Sequence, residues 1–187
     1  MDKFYYNFKP FNFQWLKPGL ALNNWEIGPN EGRITFKAHP LHFFTSPALQ
    51  FLSNLDIHTD EYCILLLGIP PGMAVHIHTD FIGPDESNPH YHRGHWSLNV
   101  PIGTEEVYTM WYDGPARNTG NQVYTEEQAG NLIHEAVIEK PNICRTNIPH
   151  RVDNRGTKTT WRVCLRCRAP IRSWDDAVNL LGPYLEM

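Results

Sequence analysis

Turn-forming clusters recur along this chain at intervals that leave little room for helices of ordinary length. Pro70-Pro71-Gly72, Gly83-Pro84-Asp85, Asp113-Gly114-Pro115 and Asn154-Arg155-Gly156 each interrupt a periodic pattern. Proline removes an amide donor, while glycine and asparagine accept the backbone angles of tight turns. Between these breaks the apolar residues follow period two or short continuous runs. Residues 33–37, 73–80 and 95–102 alternate, 61–69 is an apolar run, 105–112 is rich in β-formers, 142–146 is short and 159–168 is long. The pattern predicts a mainly β chain: a sandwich, barrel or jelly roll. Helices are expected only at the periphery. Ser46-Pro47 ahead of 48–55 reads as an N-cap with proline behind it, Thr125-Glu126-Glu127-Gln128 has capping-box spacing, and Ser173 opens a short helix that Gly182-Pro183 ends. With no repeat, low-complexity tract or linker, 1–187 is expected to be a single domain.

Charge narrows the choice of partners. The 16 Lys+Arg against 20 Asp+Glu give a formal net charge of -4, which argues against bulk attraction to nucleic acid or an anionic membrane. No window holds about 18 consecutive apolar residues. The aromatic start, 1–15, is broken by Asp2, Lys3, Lys9 and Pro10, so it does not read as a signal peptide. A cytoplasmic protein is expected, in the host cytoplasm if the chain is phage-encoded. Of the 4 cysteines, Cys164 and Cys167 have C-x-x-C spacing. They lie in a predicted strand, where residues three apart face opposite ways, so Cys63, Cys144, Cys164 and Cys167 are all expected to be reduced, structural thiols.

The 10 histidines are the informative residues. In 72–80, alternation puts Ala74, His76, His78 and Asp80 on one face, so an imidazole at 78 and a carboxylate at 80 reach one point. His150, in Ile148-Pro149-His150-Arg151-Val152, supplies a distant third group. Two imidazoles and one carboxylate on one side of a metal leave the other positions open, as in the facial triad of non-haem Fe(II) oxygenases. Twelve residues beyond His150 stands Arg162, whose planar fork suits a carboxylate.

His78-x-Asp80, the distal His150 and the basic Arg162 together resemble the signature of Fe(II)/2-oxoglutarate-dependent oxygenases built on the double-stranded β-helix. The flanking stretches His95-Trp96-Ser97-Leu98-Asn99-Val100, Trp111-Tyr112 and Pro149-His150-Arg151-Val152 are similar to small prolyl- and aspartyl/asparaginyl-hydroxylase-like proteins of phage and bacteria. The resemblance covers about 61–168. It implies a cupin-like jelly roll with a few short peripheral helices, Fe(II) held by His78, Asp80 and His150, 2-oxoglutarate as cosubstrate with its distal carboxylate on Arg162, and O2 as oxidant. It further implies cosubstrate contacts from Arg93 and His95, with Asn99 on the same strand face. The substrate is expected to be a small molecule or a peptide. Families that halogenate replace the Asp80 carboxylate by a small residue, so its presence implies hydroxylation.

Alternatives stay open at this point. Arg166 and Arg168 share the predicted face of Arg162, so either is a candidate clamp. His76, His78 and His150 would suit a cupin dioxygenase or isomerase that works without 2-oxoglutarate, and a jelly-roll binding module needs no catalysis at all. His76 itself reads as a supporting or buried residue. His90 and His92 are expected in a long loop, 83–94, that together with 113–124 borders the site as candidate lids. His39, His42, His58 and His134 carry no partner pattern. Phe11, Phe13 and Trp15 alternate as a strand packed on the sheet would.

Overall fold

The computed structural model describes residues 3–20, 34–37, 40–57, 64–85, 88–103, 106–116, 120–168 and 173–187, with the backbone alone at 34–37, 40–41, 64–65, 81–85, 88–94, 120–122 and 166–168. Among them the short alternating runs form eleven strands: β1 (Tyr5–Asn7), β2 (Ile34–Lys37), β3 (Ile64–Ile69), β4 (His78–Asp85), β5 (Asn88–Ile102), β6 (Tyr108–Tyr112), β7 (Gly120–Val123), β8 (Leu132–Val137), β9 (Asn142–Arg145), β10 (His150–Asp153) and β11 (Thr160–Arg168). Four helices sit at the edges: α1 (Pro40–Phe43), α2 (Ser46–Asn54), α3 (Glu126–Ala129) and α4 (Trp174–Leu181). No helix among the described residues is long and apolar enough to cross a membrane.

Every strand pairing is antiparallel. The path runs β2-β3-β11-β5-β4-β10-β6-β8, with β9 and β1 added beside β5 and β7 beside β4. Strand β4 serves both faces of the fold. Its start pairs with β10 and β7, while Gly83, Pro84 and Asp85 pair with β5. The result is a double-stranded β-helix, the jelly roll expected from the punctuation.

Alternation on β5, β9 and β11 sorts side chains into two layers. Trp96, Leu98, Val100, Ile143, Val163 and Leu165 face outward into the largest apolar cluster, where α2, α4 and the aromatic N-terminal segment cover them. At about 1.5–3 kcal/mol for each fully buried large apolar side chain, this outer coat is the main stabilising layer. The opposite face carries Ser97, Asn99, Asn142, Cys144, Arg162 and Cys164. It lines the barrel interior, which Leu67, Ile69, Val75, Val107 and Val152 close with a smaller apolar plug.

Three helix starts follow their sequence signals closely. Thr125 accepts from the Gln128 amide while the Gln128 side chain accepts from the Thr125 amide. Ser173 Oγ accepts from the Asp176 amide. At α2 the cap is Thr45, one residue before the expected Ser46, and Pro47 still sits in the first turn.

Several expectations are corrected. Residues 73–77 hold only an isolated bridge at Ala74, and the strand begins at His78. Pro71-Gly72 turns the chain there, with the Gly72 amide on the Asn154 carbonyl. Within the expected loop 83–94, residues 83–85 and 88–94 belong to the paired strands β4 and β5, because backbone pairing needs no apolar alternation. Residues 120–123 likewise form a strand. Phe11, Phe13 and Trp15 are not in a strand; their rings pack on one another and on Phe51.

Gly68 lies opposite Trp161 in the β3–β11 ladder. A Cβ at 68 would stand 2.6 Å from the indole Cζ3, and the indole is packed against the outer cluster. Gly68→Ala is therefore expected to cost about 1–3 kcal/mol in urea unfolding, with part recovered in Gly68→Ala/Trp161→Leu. An unchanged midpoint would contradict this packing.

Candidate metal centre

The first residue of β4 and the first residue of β10 are direct partners, so His78 stands opposite His150. Their ring centroids are 4.6 Å apart. Asp80 is two residues further along β4, on the same face, and its Oδ1 lies 3.7 Å from His78 Nε2. One ligand atom from each of His78, Asp80 and His150 lies within 4.8 Å of the others. Among the described residues this is the one such group of three or more.

Both imidazoles are oriented in the same way. His78 Nδ1 sits 2.8 Å from the His76 carbonyl oxygen, and His150 Nδ1 sits 2.9 Å from that of Ile148. A carbonyl oxygen can only accept, so each Nδ1 carries the proton and each Nε2 keeps its lone pair for a metal. Such contacts behind a ligating imidazole fix tautomer and ring angle together. Asp80 is held through its backbone, with its amide donating to the Thr146 carbonyl at 3.0 Å. His150 is 6% and Asp80 7% exposed, whereas His78 is half-buried. The site thus has an enclosed side and a more open one.

Burial, and then the neighbouring His78, push the His150 pKa down to about 3. The imidazole is neutral at physiological pH and free to ligate. Cys144, by contrast, is pushed up to about 12 by burial, so its thiol stays protonated and is no competing thiolate. Cys144 and Cys164 are buried free thiols; Cys63 and the Cys167 side chain lie outside the described residues.

Arg162 projects from β11 into the same interior. Its charge reaches both His150 and Cys144. Its Nε is buried and has no hydrogen-bond partner among the described residues. Asn99 is buried on β5 opposite Cys164, two residues along from the Arg162 partner Pro101, its amide donating to Ser97 Oγ at 3.3 Å. The side chains of Arg93, Arg166 and Arg168 lie outside the described residues. Their backbone shows why strict alternation fails there. Arg166 pairs with Ser97 and Arg168 with Arg93, so two steps on β11 match four on β5, a bulge.

The same bulge separates His95 from Ser97 and Asn99. His95 is not part of the metal-ligand group; it borders another cleft with Lys3 and Arg145. His76 is exposed and supports His78 through its carbonyl alone. Its side chain therefore corrects the expectation of burial and offers no ligand for a three-histidine set. His90 and His92 belong to β5 rather than a loop, His42 is exposed, and His134 packs among Phe4, Tyr5 and Trp111. His39 and His58 fall outside the described residues.

Alternation did not reveal the residues that hold the ligands. Trp111 is fully buried beside His150 in the β6–β10 ladder, with Nε1 donating to the Arg145 carbonyl at 3.0 Å. Thr79, Thr109 and Thr146 carry buried hydroxyls without a partner among the described residues.

No protein-family model and no curated protein matches the sequence. Solved structures of similar shape include the ribosomal oxygenase YcfD of Escherichia coli, at 11% identity over 89% of this chain and 41% of that one, TM-score 0.47. Peruvianin-I, a cysteine peptidase from Thevetia peruviana latex, matches at 13% over 85% of this chain and 86% of that one, TM-score 0.40. Oxalate oxidase in complex with glycolate matches at 9% over 85% and 71%, TM-score 0.38. Likeness at this level carries neither substrate nor cofactor across.

The buried imidazole gives a stability signature. Between pH 6.5 and about 3 the unfolded chain takes up a proton at His150 that the folded chain excludes. Stability of the metal-free protein therefore falls as pH drops through that window, by up to ~1.4 kcal/mol per pH unit from this group. Urea unfolding in chelator between pH 7 and 4 is expected to show the decline, and His150→Gln to flatten it. Parallel profiles for the two proteins would remove His150 as its source.

Proposed function

We propose that the protein is an Fe(II)- and 2-oxoglutarate-dependent oxygenase that hydroxylates a small-molecule or peptide substrate. The reading is carried by one observation: an open three-ligand group and an arginine whose buried Nε has no partner among the described residues share the same barrel interior. Neutral imidazole nitrogens and a carboxylate suit a first-row divalent ion, and three protein ligands leave positions for exogenous ones. A buried arginine nitrogen without an acceptor suits one end of a dicarboxylate.

Bound iron would supply the redox chemistry that splits O2, one oxygen atom passing to 2-oxoglutarate, which leaves as succinate and CO2, and the other to the substrate C–H bond as a hydroxyl. His78 and His150 would hold the ion through Nε2, and Asp80 through its carboxylate, which offsets half of the ion's charge. Arg162 would anchor the distal carboxylate. Asn99 and Ser97 line the same polar face. Trp111 closes the wall beside His150 and limits entry of water.

Anaerobic addition of Fe(II) and 2-oxoglutarate is expected to give a weak visible charge-transfer band, absent in His150→Ala, and aerobic incubation to release succinate slowly without substrate. Arg162→Ala should weaken 2-oxoglutarate binding about tenfold or more, the scale of a lost charge-assisted contact, with no comparable loss of Fe(II) affinity. Absence of both band and succinate in the intact protein would overturn the proposal. An unchanged 2-oxoglutarate affinity in Arg162→Ala would overturn the clamp.

A further inference from the structure

Outside the barrel, where the N-terminal segment, β5, β9 and the start of α4 meet, lies a second cleft of about 340 Å³. Lys3, His95 and Arg145 border it, with Asp175 as the acidic residue among its lining. Two full cations thus face one carboxylate. The Lys3 ammonium rests over the Tyr6 ring, 4.6 Å from its centroid. The half-buried Arg145 uses Nε on Asn147 Oδ1 at 3.0 Å, and among the described residues its two terminal nitrogens meet no hydrogen-bond acceptor. Among the described residues no carboxylate forms an ion pair with Lys3 or Arg145. By contrast Arg151 is paired with Glu126, and Arg155 with both Glu135 and Asp153. The excess positive charge at the cleft therefore stands out against a surface where arginines find partners.

We propose that this cleft binds a small anion, a carboxylate or phosphate group, gripped by Arg145 and Lys3 with His95 as a hydrogen-bonding neighbour. A guanidinium with two free terminal nitrogens matches two oxygens of either group, and the ammonium adds a point charge. Burial and Arg145 lower the His95 pKa, so its ring meets the anion as a neutral donor. The site stands apart from the oxygenase reading and needs neither iron nor 2-oxoglutarate. It is nonetheless one strand away from the metal ligands: the His95 carbonyl accepts from the Thr146 amide at 2.8 Å, and the Thr146 carbonyl from the Asp80 amide.

Calorimetric titration in chelator, at matched ionic strength, with inorganic phosphate, succinate and chloride tests the assignment. Saturable binding of phosphate or succinate, but not chloride, is expected, and the preferred anion identifies the source. Arg145→Gln should weaken binding about tenfold or more. Lys3→Gln, at an exposed residue near the chain start, should weaken it several-fold without touching the fold and serves if Arg145→Gln does not fold. His78→Ala should leave it unchanged. Equal binding by chloride, full affinity in Lys3→Gln or Arg145→Gln, or loss in His78→Ala would each overturn the proposal; the last would move the anion to the metal centre.

Discussion

The candidate centre depends on one cross-strand register, His150 opposite His78. A slip of one residue would turn every side chain of β10 to the other face and take the imidazole out of the barrel. With four residues, β10 is too short to hold this register unaided, so its surroundings do so. On one side the Tyr112 amide donates to the Pro149 carbonyl, and on the other the Val75 amide donates to that of Val152. Just beyond the strand, fully buried Asn154 donates to the carbonyls of Ile69 and Lys158 at 2.7 and 2.8 Å. Arg155 then ties the turn to Glu135 and Asp153. The turn that first marked the chain as β is thus also what positions a ligand.

The arrangement of layers follows from what the interior must hold. In most barrels and sandwiches the inward faces form the core. Here the sheet bearing β5, β9 and β11 packs its strongest apolar side chains outward, against α2, α4 and the N-terminal aromatics. That leaves the inner face polar. Buried polar atoms without partners cost about 1–3 kcal/mol each, and Thr79, Thr109, Thr146 and Arg162 each contribute one. An outer coat of Trp, Phe and Leu offsets that expense. Residues 8–20 and 42–57, which line neither proposed site, thereby release the interior from the task of stabilising the fold.

Much of this was legible from residue patterns, and the failures have identifiable causes. Alternation identified β5 and β11, and cap chemistry located α3 and α4, because both are local properties. The H-x-D pair and the distal His150 were legible because period two fixes the relative direction of residues 78 and 80. His95 was not, since alternation cannot anticipate the bulge that separates it from Ser97. The burial expected of His76 failed because the strand begins two residues after it, while its expected supporting role is filled by its carbonyl. The pairing of 83–85 with 88–93 lacked any apolar signal, being carried by backbone groups. The carbonyls of His76 and Ile148, which orient both imidazoles, leave no trace in residue identity.

Charge balance couples the two ligands of the proposed chemistry. As a metal ligand Asp80 must be ionised, and the imidazoles must be neutral, so Asp80 and the nearby Arg162 cancel. A divalent ion alone would bring two uncompensated positive charges into a buried volume that already holds a guanidinium. A dicarboxylate alone would bring two negative ones. Together they add no net charge, and in a low-dielectric interior that difference is large compared with the energies that hold the fold. On the proposed chemistry each partner would therefore strengthen binding of the other, and by linkage the effect would be reciprocal. The neutrality of His150 serves the same end: a proton on that ring would oppose the ion directly, and burial excludes it. A site built this way favours the fully assembled state over either half-loaded one, which is the condition under which an oxidising centre forms only when the cosubstrate it consumes is in place.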